Sequence, residues 1–345
     1  MPPIDRVVAA TRGLRCLPTA VFGRHRRFLS VPHFILRSHF ATKREHVPRS
    51  PTPAPEEFPP QSLTMLTWNV AGLRGFLKRD GAIDNLRQIV KDFSVDVVCL
   101  QETKLQEMHV EKVGAEFLTS CLESARATPE HRHWDAHFSC SVARKGYSGV
   151  VTAWNTGRID PIHVVSGGVD SEGDAEGRTV TLSGLISTGE DDREAARHGF
   201  TLVNTYVPNS GQGLKRLQYR TEEWDHAFAN HIVEASVAGQ RAKRVAHTTV
   251  VTGDFNVAFH DIDHFDAGDS RSKRYPGRTP QEKASAQRHL LQRVRTLQSD
   301  PIWVDAFRAR YPHASGVFSY WSQRSRNRQW NRGLRLDTFL VDEKR

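Results

Sequence analysis

Residues 248–256 read Thr-Thr-Val-Val-Thr-Gly-Asp-Phe-Asn. The β-branched run at 248–252 predicts a buried strand, and Gly253 ends it because glycine permits unusual backbone angles. Asp254 and Asn256 then lie on one side of the strand's carboxyl end if the chain stays extended. A carboxylate and an amide so placed suit a metal ion and a phosphate oxygen. An ordinary β-turn uses the same residue types, so other segments of the sequence must decide between a turn and an active site.

The composition limits the class of partner. A net charge of +9 over 345 residues favours a polyanion such as nucleic acid, although a basic tail would supply the same excess. No apolar run reaches about 18 residues, so we expect no membrane partner. The four cysteines lack Cys-x-x-Cys spacing, which indicates neither a zinc site nor a disulfide framework and suits a reducing compartment.

Residues 1–60 differ from the rest and are expected to be a disordered basic targeting segment followed by a proline-rich linker at 48–60. Arginines among small and apolar residues are typical of a mitochondrial transit peptide. The cluster Arg24-His25-Arg26-Arg27 also fits a nuclear address, a DNA-binding arm or an untargeted tail. We expect the nucleus and/or the mitochondrion, with the folded domain at 61–345.

Strands and helices alternate through that domain. Strands are predicted at 63–70, 95–100, 150–151, 178–183, 200–206, 248–252 and 336–341. Helices are predicted at 82–93, after Asn209 with Leu217, Trp224, Phe228 and Ile232 buried, and from a capping box at 279–282 to about 297. Residues 119–140 are expected to be an insertion, and 169–177 an acidic loop turned away from any DNA. Two facing sheets with outer helices fit this order.

Polar side chains follow three of the apolar strands. They are Asn69 after the first strand, Glu102 in Gln101-Glu102-Thr103-Lys104, and the pair Tyr206 and Asn209. Strand ends are where layered folds carry their sites. Glu102 could be a metal ligand, although on its own it would be interpreted as an N-cap or a surface charge.

The segment from Gly316 onward is basic and aromatic. Its aromatic residues are Phe318, Tyr320, Trp321 and Trp330, interleaved with Arg324, Arg326, Arg328, Arg332 and Arg335. This mixture is typical of a surface that holds phosphates and covers a sugar or base, or of a solvated loop. Asp337 stands alone in the following apolar run and therefore needs a buried partner.

Six ordered blocks together suggest a family. They are Trp68-Asn69-Val70-Ala71-Gly72-Leu73-Arg74, Leu100-Gln101-Glu102-Thr103-Lys104, Gly146-Tyr147-Ser148-Gly149-Val150, Tyr206-Val207-Pro208-Asn209, Gly253-Asp254-Phe255-Asn256 and Asn331-Arg332-Gly333-Leu334-Arg335-Leu336-Asp337. From about residue 63 to 341, the chain resembles the exonuclease III type of apurinic/apyrimidinic endonuclease, in the endonuclease/exonuclease/phosphatase superfamily. Each block alone is weak, whereas the ordered set is specific.

The resemblance implies a four-layered α/β sandwich and a DNA base-excision-repair nuclease. The expected reaction is hydrolysis of the phosphodiester 5′ to an abasic site in duplex DNA with Mg²⁺ or Mn²⁺, with 3′-exonuclease and 3′-phosphodiesterase activity as further options. A monomer is expected. The implied roles are metal binding by Glu102 with support from Asn69, water activation by Asp254, phosphate contacts by Asn256, Asn209 and Tyr206, and orientation of a histidine by Asp337. The implied DNA contacts are Arg74, Lys104, Tyr147, Gln212, Trp321, Arg328, Leu334 and Arg335.

Three departures from the family pattern affect these expectations. Ala71 stands where some relatives carry Asp, and Gln212 where some carry Arg. The family's later Ser-Asp-His segment is not found before Arg345, so we expect a C-terminally truncated chain with impaired activity. Two other classes stay open: another superfamily phosphodiesterase, such as an inositol phosphatase or sphingomyelinase, and a non-catalytic DNA-binding protein.

Overall fold

Two mixed β-sheets face each other in this computed structural model. It describes residues 62–123, 133–186, 198–242, 247–291 and 302–343, together with the backbone pairing of β1 (Leu17–Pro18) and β2 (Phe34–Ile35). The predicted disorder of residues 1–60 otherwise lies outside the described residues.

The first sheet has four principal strands in the order β3-β4-β6-β5, and β2 and then β1 continue it beyond β3. The four are β3 (Met65–Asn69), β4 (Val97–Gln101), β5 (Trp134–Ser139) and β6 (Val150–Asn155). β3 and β4 run parallel with Asn69 opposite Gln101, so their carboxyl ends meet at one edge. β6 is antiparallel to β4 and β5.

The second sheet has six strands in the order β11-β12-β10-β9-β8-β7. They are β7 (Ile159–Ser166), β8 (Thr179–Ile186), β9 (Gly199–Tyr206), β10 (His247–Asp254), β11 (Ile302–Asp305) and β12 (Asp337–Glu343). β9 and β10 are its parallel pair and place Tyr206 opposite Asp254. β12 runs antiparallel to β10 and places Asp337 on the other side of Asp254.

Alternate residues of each central strand face two different cores. In β4, Val97 and Cys99 pack between the sheets, whereas Val98 and Leu100 pack outward against helices. Both faces are buried, which explains why these strands read as continuous apolar runs rather than alternating ones. The Cys99 thiol lies within that run and is fully buried.

Helices cover the outer face of each sheet. Beyond short 3₁₀ turns, they are Leu73–Leu77, Ala82–Asp92, Val110–Phe117, Ser171–Ala175, Asp225–Ala242, Pro280–Ala286 and Ala306–Arg310, with π-helical turns at Leu118–Leu122, Tyr219–Trp224 and Gln287–Leu291. Trp224, Phe228 and Ile232 are buried as predicted and pack on the second sheet, whereas Leu217, also predicted to be buried, is only half-buried. The layers therefore run helix, sheet, sheet, helix, which confirms the predicted fold class.

Helix Pro280–Ala286 begins at the predicted capping box. The Thr279 hydroxyl accepts from the backbone N–H of Glu282, and the Glu282 carboxylate accepts from that of Thr279. This pairing satisfies two N–H groups that the first turn leaves without helical partners. The predicted extension to residue 297 passes beyond 291, outside the described residues.

Strands β5, β7 and β11 were not predicted. β7 is mostly exposed and contains Asp160, Pro161 and His163, with a register shift at Pro161. Residues 119–140, expected to be an insertion, instead contain the regular strand β5 at the edge of the first sheet. Within the described ranges, no helix is long and apolar enough to cross a lipid bilayer.

A buried pair of amides joins the sheets just below the edge where the strands end. Gln101 Nε2 donates to Asn204 Oδ1 at 2.8 Å, and Asn204 Nδ2 donates to the Val151 carbonyl at 2.9 Å. Both side chains are fully buried. Because unsatisfied buried amides are costly, these bonds fix how β4 and β9 sit relative to each other.

Candidate active site

Asn69 connects carboxylates that come from the two sheets. Its Nδ2 donates to Glu102 Oε1 at 3.0 Å and to Asp254 Oδ2 at 2.8 Å. Its Oδ1 accepts from the backbone N–H of Ala71 at 3.0 Å, which fixes which way the amide faces. The strand ends thus bring together three predicted site residues from distant parts of the chain.

Glu102 is surrounded by hydrogen-bond donors. Besides Asn69, the Tyr206 hydroxyl donates to Oε1 at 2.7 Å, and the Lys104 ammonium lies 2.8 Å from Oε2. Burial alone would raise the pKa of Glu102, but bonds from Lys104, Asn69 and Tyr206 outweigh burial and lower it. Glu102 is therefore a carboxylate at neutral pH, with one oxygen next to a cation.

Asp254 is more deeply buried than Glu102. Its Oδ1 accepts from the backbone N–H of Asn256 at 2.8 Å. Burial, together with the negative charge of Glu102, raises the pKa of Asp254 to about 6 despite its hydrogen bonds. Two neighbouring carboxylates in a partly buried position are favourable for a cation and costly without one.

The amides of Asn256 and Asn209 form the next part of the site. Asn256 Nδ2 donates to the Val207 carbonyl at 2.8 Å, and Asn209 Nδ2 donates to Asn256 Oδ1 at 3.0 Å. Asn209 Oδ1 accepts from the backbone N–H of Gly211 at 2.9 Å. Asn209 is half-buried, so its amide is held in place at an accessible position.

Backbone strain concentrates around this site. Five non-glycine residues adopt the left-handed conformation, with φ between 48° and 54°: Ala71, Glu102, Lys104, Ser148 and Asn256. Such conformations typically cost about 1–3 kcal/mol each and occur where function fixes the backbone. Gly253, the residue before Asp254 in β10, has φ 139°, and a Cβ atom there would lie 1.8 Å from the Thr205 carbonyl oxygen, so only glycine fits at this position.

Asp337 adjoins Asp254 and has an unsatisfied oxygen. Its backbone N–H donates to Ser319 Oγ at 3.0 Å, whereas its Oδ1 is buried and has no hydrogen-bond partner among the described residues. Burial and the charge of Asp254 raise the pKa of Asp337 well above its usual value. The sequence required a buried partner for this carboxyl, and the buried Ser319 side chain supplies one hydrogen bond, whereas no described residue bonds to Oδ1.

The acidic stretch 169–177 was predicted to lie away from the DNA-binding face or to be turned outward, and in the structure it is partly buried, with Glu172 and Asp174 exposed and Glu176 packed against two arginines. Glu176 is buried and accepts from Arg178 Nε at 2.6 Å and from Arg216 Nη2 at 3.0 Å. Glu172 accepts from the same Arg216 at 2.5 Å. These carboxylates neutralise arginines rather than repel DNA, which removes the reason for placing the stretch elsewhere.

Those two arginines also hold Tyr147. The hydroxyl of Tyr147 accepts from Arg178 Nη2 at 3.0 Å and from Arg216 Nη1 at 2.9 Å. Arg178 also lies over the Tyr206 ring, 4.9 Å from its centroid. Both lone pairs of the Tyr147 hydroxyl are engaged, so its proton is left to donate outward. Neither arginine was identified from the sequence.

Arg335 does not lie on a DNA-facing surface, contrary to expectation. It is 3% exposed and donates to Asp263 Oδ1 and Oδ2, both at 2.8 Å, and to Asp305 Oδ2 at 2.5 Å. Arg308 binds Asp263 as well. A guanidinium with two buried carboxylates is a structural tie and is not available to a phosphate.

Leu334 is also buried rather than exposed to DNA. It is 2% exposed and packs with Ala258 and Leu336. Its backbone pairs with Tyr320 and with His264, which explains the burial because both neighbouring segments cross it. The predicted contact of Leu334 with DNA therefore lacks an accessible side chain.

The other predicted DNA contacts remain at least partly accessible. Trp321 is half-buried, and its Nε1 donates to Asn331 Oδ1 at 3.1 Å. The central carbon of the Arg328 guanidinium lies 4.8 Å from the centroid of the Trp321 ring. Arg74 and Gln212 are exposed. Lys104 is engaged with Glu102, so a phosphate would compete with that carboxylate for its ammonium.

A second acidic group contains His260, Asp263 and Asp305, whose ligand atoms lie within 4.8 Å of one another. Both carboxylates are already neutralised by Arg308 and Arg335. A metal would have to displace these guanidinium groups. Glu102 and Asp254 are therefore the better metal-binding carboxylates in the described ranges.

Comparison with known proteins agrees with this geometry. Residues 66–344 match the model of the endonuclease/exonuclease/phosphatase family. An exodeoxyribonuclease of Bacillus subtilis is 29% identical over 81% of this chain and 88% of its own length. The DNA repair nuclease APEX1 of Danio rerio is 30% identical over 87% of this chain and 83% of its own.

Solved structures with a similar fold have related descriptions. The AP endonuclease LMAP from Leishmania major is 33% identical, with a TM-score of 0.62 over 80% of this chain and 78% of that one. The catalytic domain of Xenopus laevis APE2 is 25% identical, with a TM-score of 0.54 over 81% of this chain and 82% of that one.

Proposed function

The chain belongs to the endonuclease/exonuclease/phosphatase family and is a DNA-repair nuclease, and we propose that it hydrolyses the phosphodiester 5′ to an abasic site in duplex DNA, with Mg²⁺ as its metal. The observation that carries the proposal is the Asn69 amide between two carboxylates from different sheets. A fold without a function at this edge has no need to place Glu102 and Asp254 together.

The oxygen ligands that the site offers fit a hard divalent cation. Glu102 offers a carboxylate held by three donors, and the nearby charge of Asp254 adds to the negative potential. Mg²⁺ and Mn²⁺ favour oxygen ligands of this kind. Held by Glu102 with Asn69 in support, the ion would polarise a phosphoryl oxygen and offset charge that develops on it.

Asp254 is the residue suited to accept a proton from the attacking water. Its pKa of about 6 lies close to neutral pH, which is where a general base works best. Its Oδ1 is held by the backbone of Asn256, and Oδ2 by Asn69, so the carboxylate is fixed in orientation. Preorganisation of this kind avoids the cost of reorienting groups during the reaction.

The amides and the phenol supply donors near the scissile group. Asn209 and Asn256 are tied to each other and to the Val207 carbonyl, which places Asn209 for a phosphoryl oxygen. Burial, with the charges of Glu102 and Asp254, raises the pKa of Tyr206 well above its usual value, so Tyr206 stays a donor. In this structure it donates to Glu102 and thereby orients the metal ligand.

Preference for an abasic site is part of the proposal and is supported by the relatives, since the similar structure from Leishmania major is described as an AP endonuclease. The carboxylates and amides of the site, Asn69, Glu102, Asp254, Asn209 and Asn256, contact one another within a single chain, and we propose a monomeric enzyme.

The proposal is tested with two 5′-labelled duplexes that differ only in one abasic site. In Mg²⁺, the abasic duplex should yield a single product whose 3′ end is a hydroxyl directly 5′ to the site. The intact duplex and samples with EDTA should stay uncut at that position. Equal cleavage of both duplexes, or cleavage on the 3′ side, would refute the proposed specificity.

A further inference from the structure

Arg278 is a half-buried arginine next to the candidate site. It directly follows Gly277, whose carbonyl accepts from the backbone N–H of Ala258 at 3.1 Å. A Cβ atom on Gly277 would lie 3.0 Å from the Asn256 carbonyl oxygen, so the two backbones are in contact. The start of the Arg278 side chain is thus fixed relative to the proposed phosphate-binding amides.

Arg278 differs from the other half-buried or buried arginines near it. Arg308 and Arg335 each bind a buried carboxylate. The guanidinium of Arg278 has no carboxylate within ion-pairing distance among the described residues, and burial lowers its pKa although the more distant Asp266 opposes that shift. A partly desolvated cation without an ion-paired anion is costly, and an anionic ligand would offset that cost.

Aromatic rings hold the Arg278 guanidinium in place. Its central carbon lies 5.5 Å from the centroid of Phe265 and 5.9 Å from that of Tyr275. Tyr275 and Tyr320 are largely exposed, so the cluster opens to solvent. Stacked guanidinium groups keep their N–H groups free at the edge, which is the arrangement that binds phosphate oxygens in pairs.

We propose that Arg278 binds a non-bridging oxygen of a DNA phosphate next to the scissile phosphodiester and so positions the substrate strand. This subsite, framed by Phe265, Tyr275 and Tyr320, rests on the proposed function and adds a residue to it that the sequence motifs do not contain. The ligand class is a phosphodiester anion, and the exposed tyrosines would cover the adjoining sugar or base.

The test combines a protein change with a change in the DNA. Duplexes with one abasic site receive a neutral methylphosphonate at one phosphate at a time, and affinities for the native protein and Arg278→Met are compared. Arg278→Met should weaken binding of unmodified duplex roughly 10- to 100-fold, as expected for a charge-assisted hydrogen bond. At one flanking position the methylphosphonate should weaken the native protein but leave Arg278→Met unchanged.

Two further measurements separate positioning from a structural role. The slope of log affinity against log salt should fall by about 0.9 in Arg278→Met, and Arg278→Lys should restore the slope but only part of the affinity. Melting temperature should stay equal or rise, because the variant removes a partly desolvated charge that has no ion-paired carboxylate. The matched control is Arg271→Met, an exposed arginine of the same loop paired with Asp269, which should change neither quantity.

The outcomes distinguish this inference from the proposed function. If the native protein neither binds nor cuts abasic duplex, the function fails and the inference with it. If the native protein cuts, but every methylphosphonate weakens it and Arg278→Met by the same factor, only the assignment of Arg278 is overturned. A large fall in melting temperature with an unchanged salt slope would show a purely structural role.

Discussion

Arg335→Met should destabilise the protein by about 3–5 kcal/mol, because it would leave buried carboxylates without a counter-ion. Asp263 and Asp305 are both buried and face the same guanidinium. Arg308 would remain paired with Asp263, so most of the lost stabilisation comes from Asp305, which would be left without an ion pair. Methionine keeps an unbranched apolar stem but is shorter than arginine, so the variant removes the guanidinium with its hydrogen bonds and leaves only the start of the side chain packed.

This magnitude is large relative to the stability of a folded domain, which is about 5–15 kcal/mol. For a domain of this size, each kcal/mol lowers the melting temperature by about 2–4 °C, so the expected fall is about 6–20 °C. A change confined to an exposed arginine usually stays within about 0.5 kcal/mol.

The assay is equilibrium denaturation in urea of the native protein, Arg335→Met and Arg332→Met. Arg332 is exposed in the same segment and serves as the matched control. The midpoint should fall sharply for Arg335→Met and hardly move for Arg332→Met. If Arg335→Met keeps its midpoint yet binds DNA more weakly, Arg335 faces DNA and its structural assignment is wrong.

Three further predictions concern metal, DNA and delivery. Glu102→Gln should weaken Mg²⁺ binding at least about tenfold by calorimetry, whereas Lys104→Met should strengthen it up to about fivefold by removing the competing cation. An unchanged Mg²⁺ affinity in either folded variant contradicts the role assigned to the substituted residue. Neutralising Arg324 and Arg332, both exposed, should lower the salt slope of duplex binding by about 0.9 for each phosphate that the protein no longer neutralises, and an unchanged slope shows that these arginines bind no phosphate. Residues 1–60 fused to a fluorescent reporter should direct it to the nucleus or mitochondrion, and a diffuse cytosolic signal argues against both.

The sheets could be predicted because their central strands have local patterns. Residues 248–252 and 97–100 are continuous β-branched or apolar runs, as expected for strands buried on both faces. The capping box at Thr279 is equally local. By contrast, β7 is mostly exposed, contains Pro161, and forms only because β8 is available as a partner, so no local pattern indicates it.

The site residues were found from strand ends, but their neighbours were not. Asn69, Glu102 and Asp254 follow apolar runs, and parallel pairing brings such ends together. Arg216 was missed because its partner Glu176 lies 40 residues away and is brought to it by the tertiary fold. Arg178 was missed although Glu176 is only two residues away, because residues 169–177 were interpreted as an acidic loop turned away from DNA. A buried arginine and a DNA-binding arginine look alike in a sequence.

Arg335 shows most clearly that side-chain burial cannot be predicted from the local sequence. Its partners Asp263 and Asp305 lie 72 and 30 residues away in the chain, so nothing in the basic, aromatic segment indicates burial. Leu334 was misassigned for a related reason, since crossing segments cover it. Side-chain exposure near a site depends on long-range packing, whereas the position of the site at the strand ends does not.

Single-turnover incision of an abasic duplex by excess protein, native against Asp254→Asn, tests the proposed chemistry most directly. Asparagine keeps the size of the side chain but is not a base. In Mg²⁺, incision 5′ to the abasic site should slow by about 10²–10⁴-fold, while affinity for the duplex stays nearly unchanged. If Asp254→Asn cuts at the native rate, or if incision continues in EDTA, Asp254 is not the base of a metal-assisted hydrolysis.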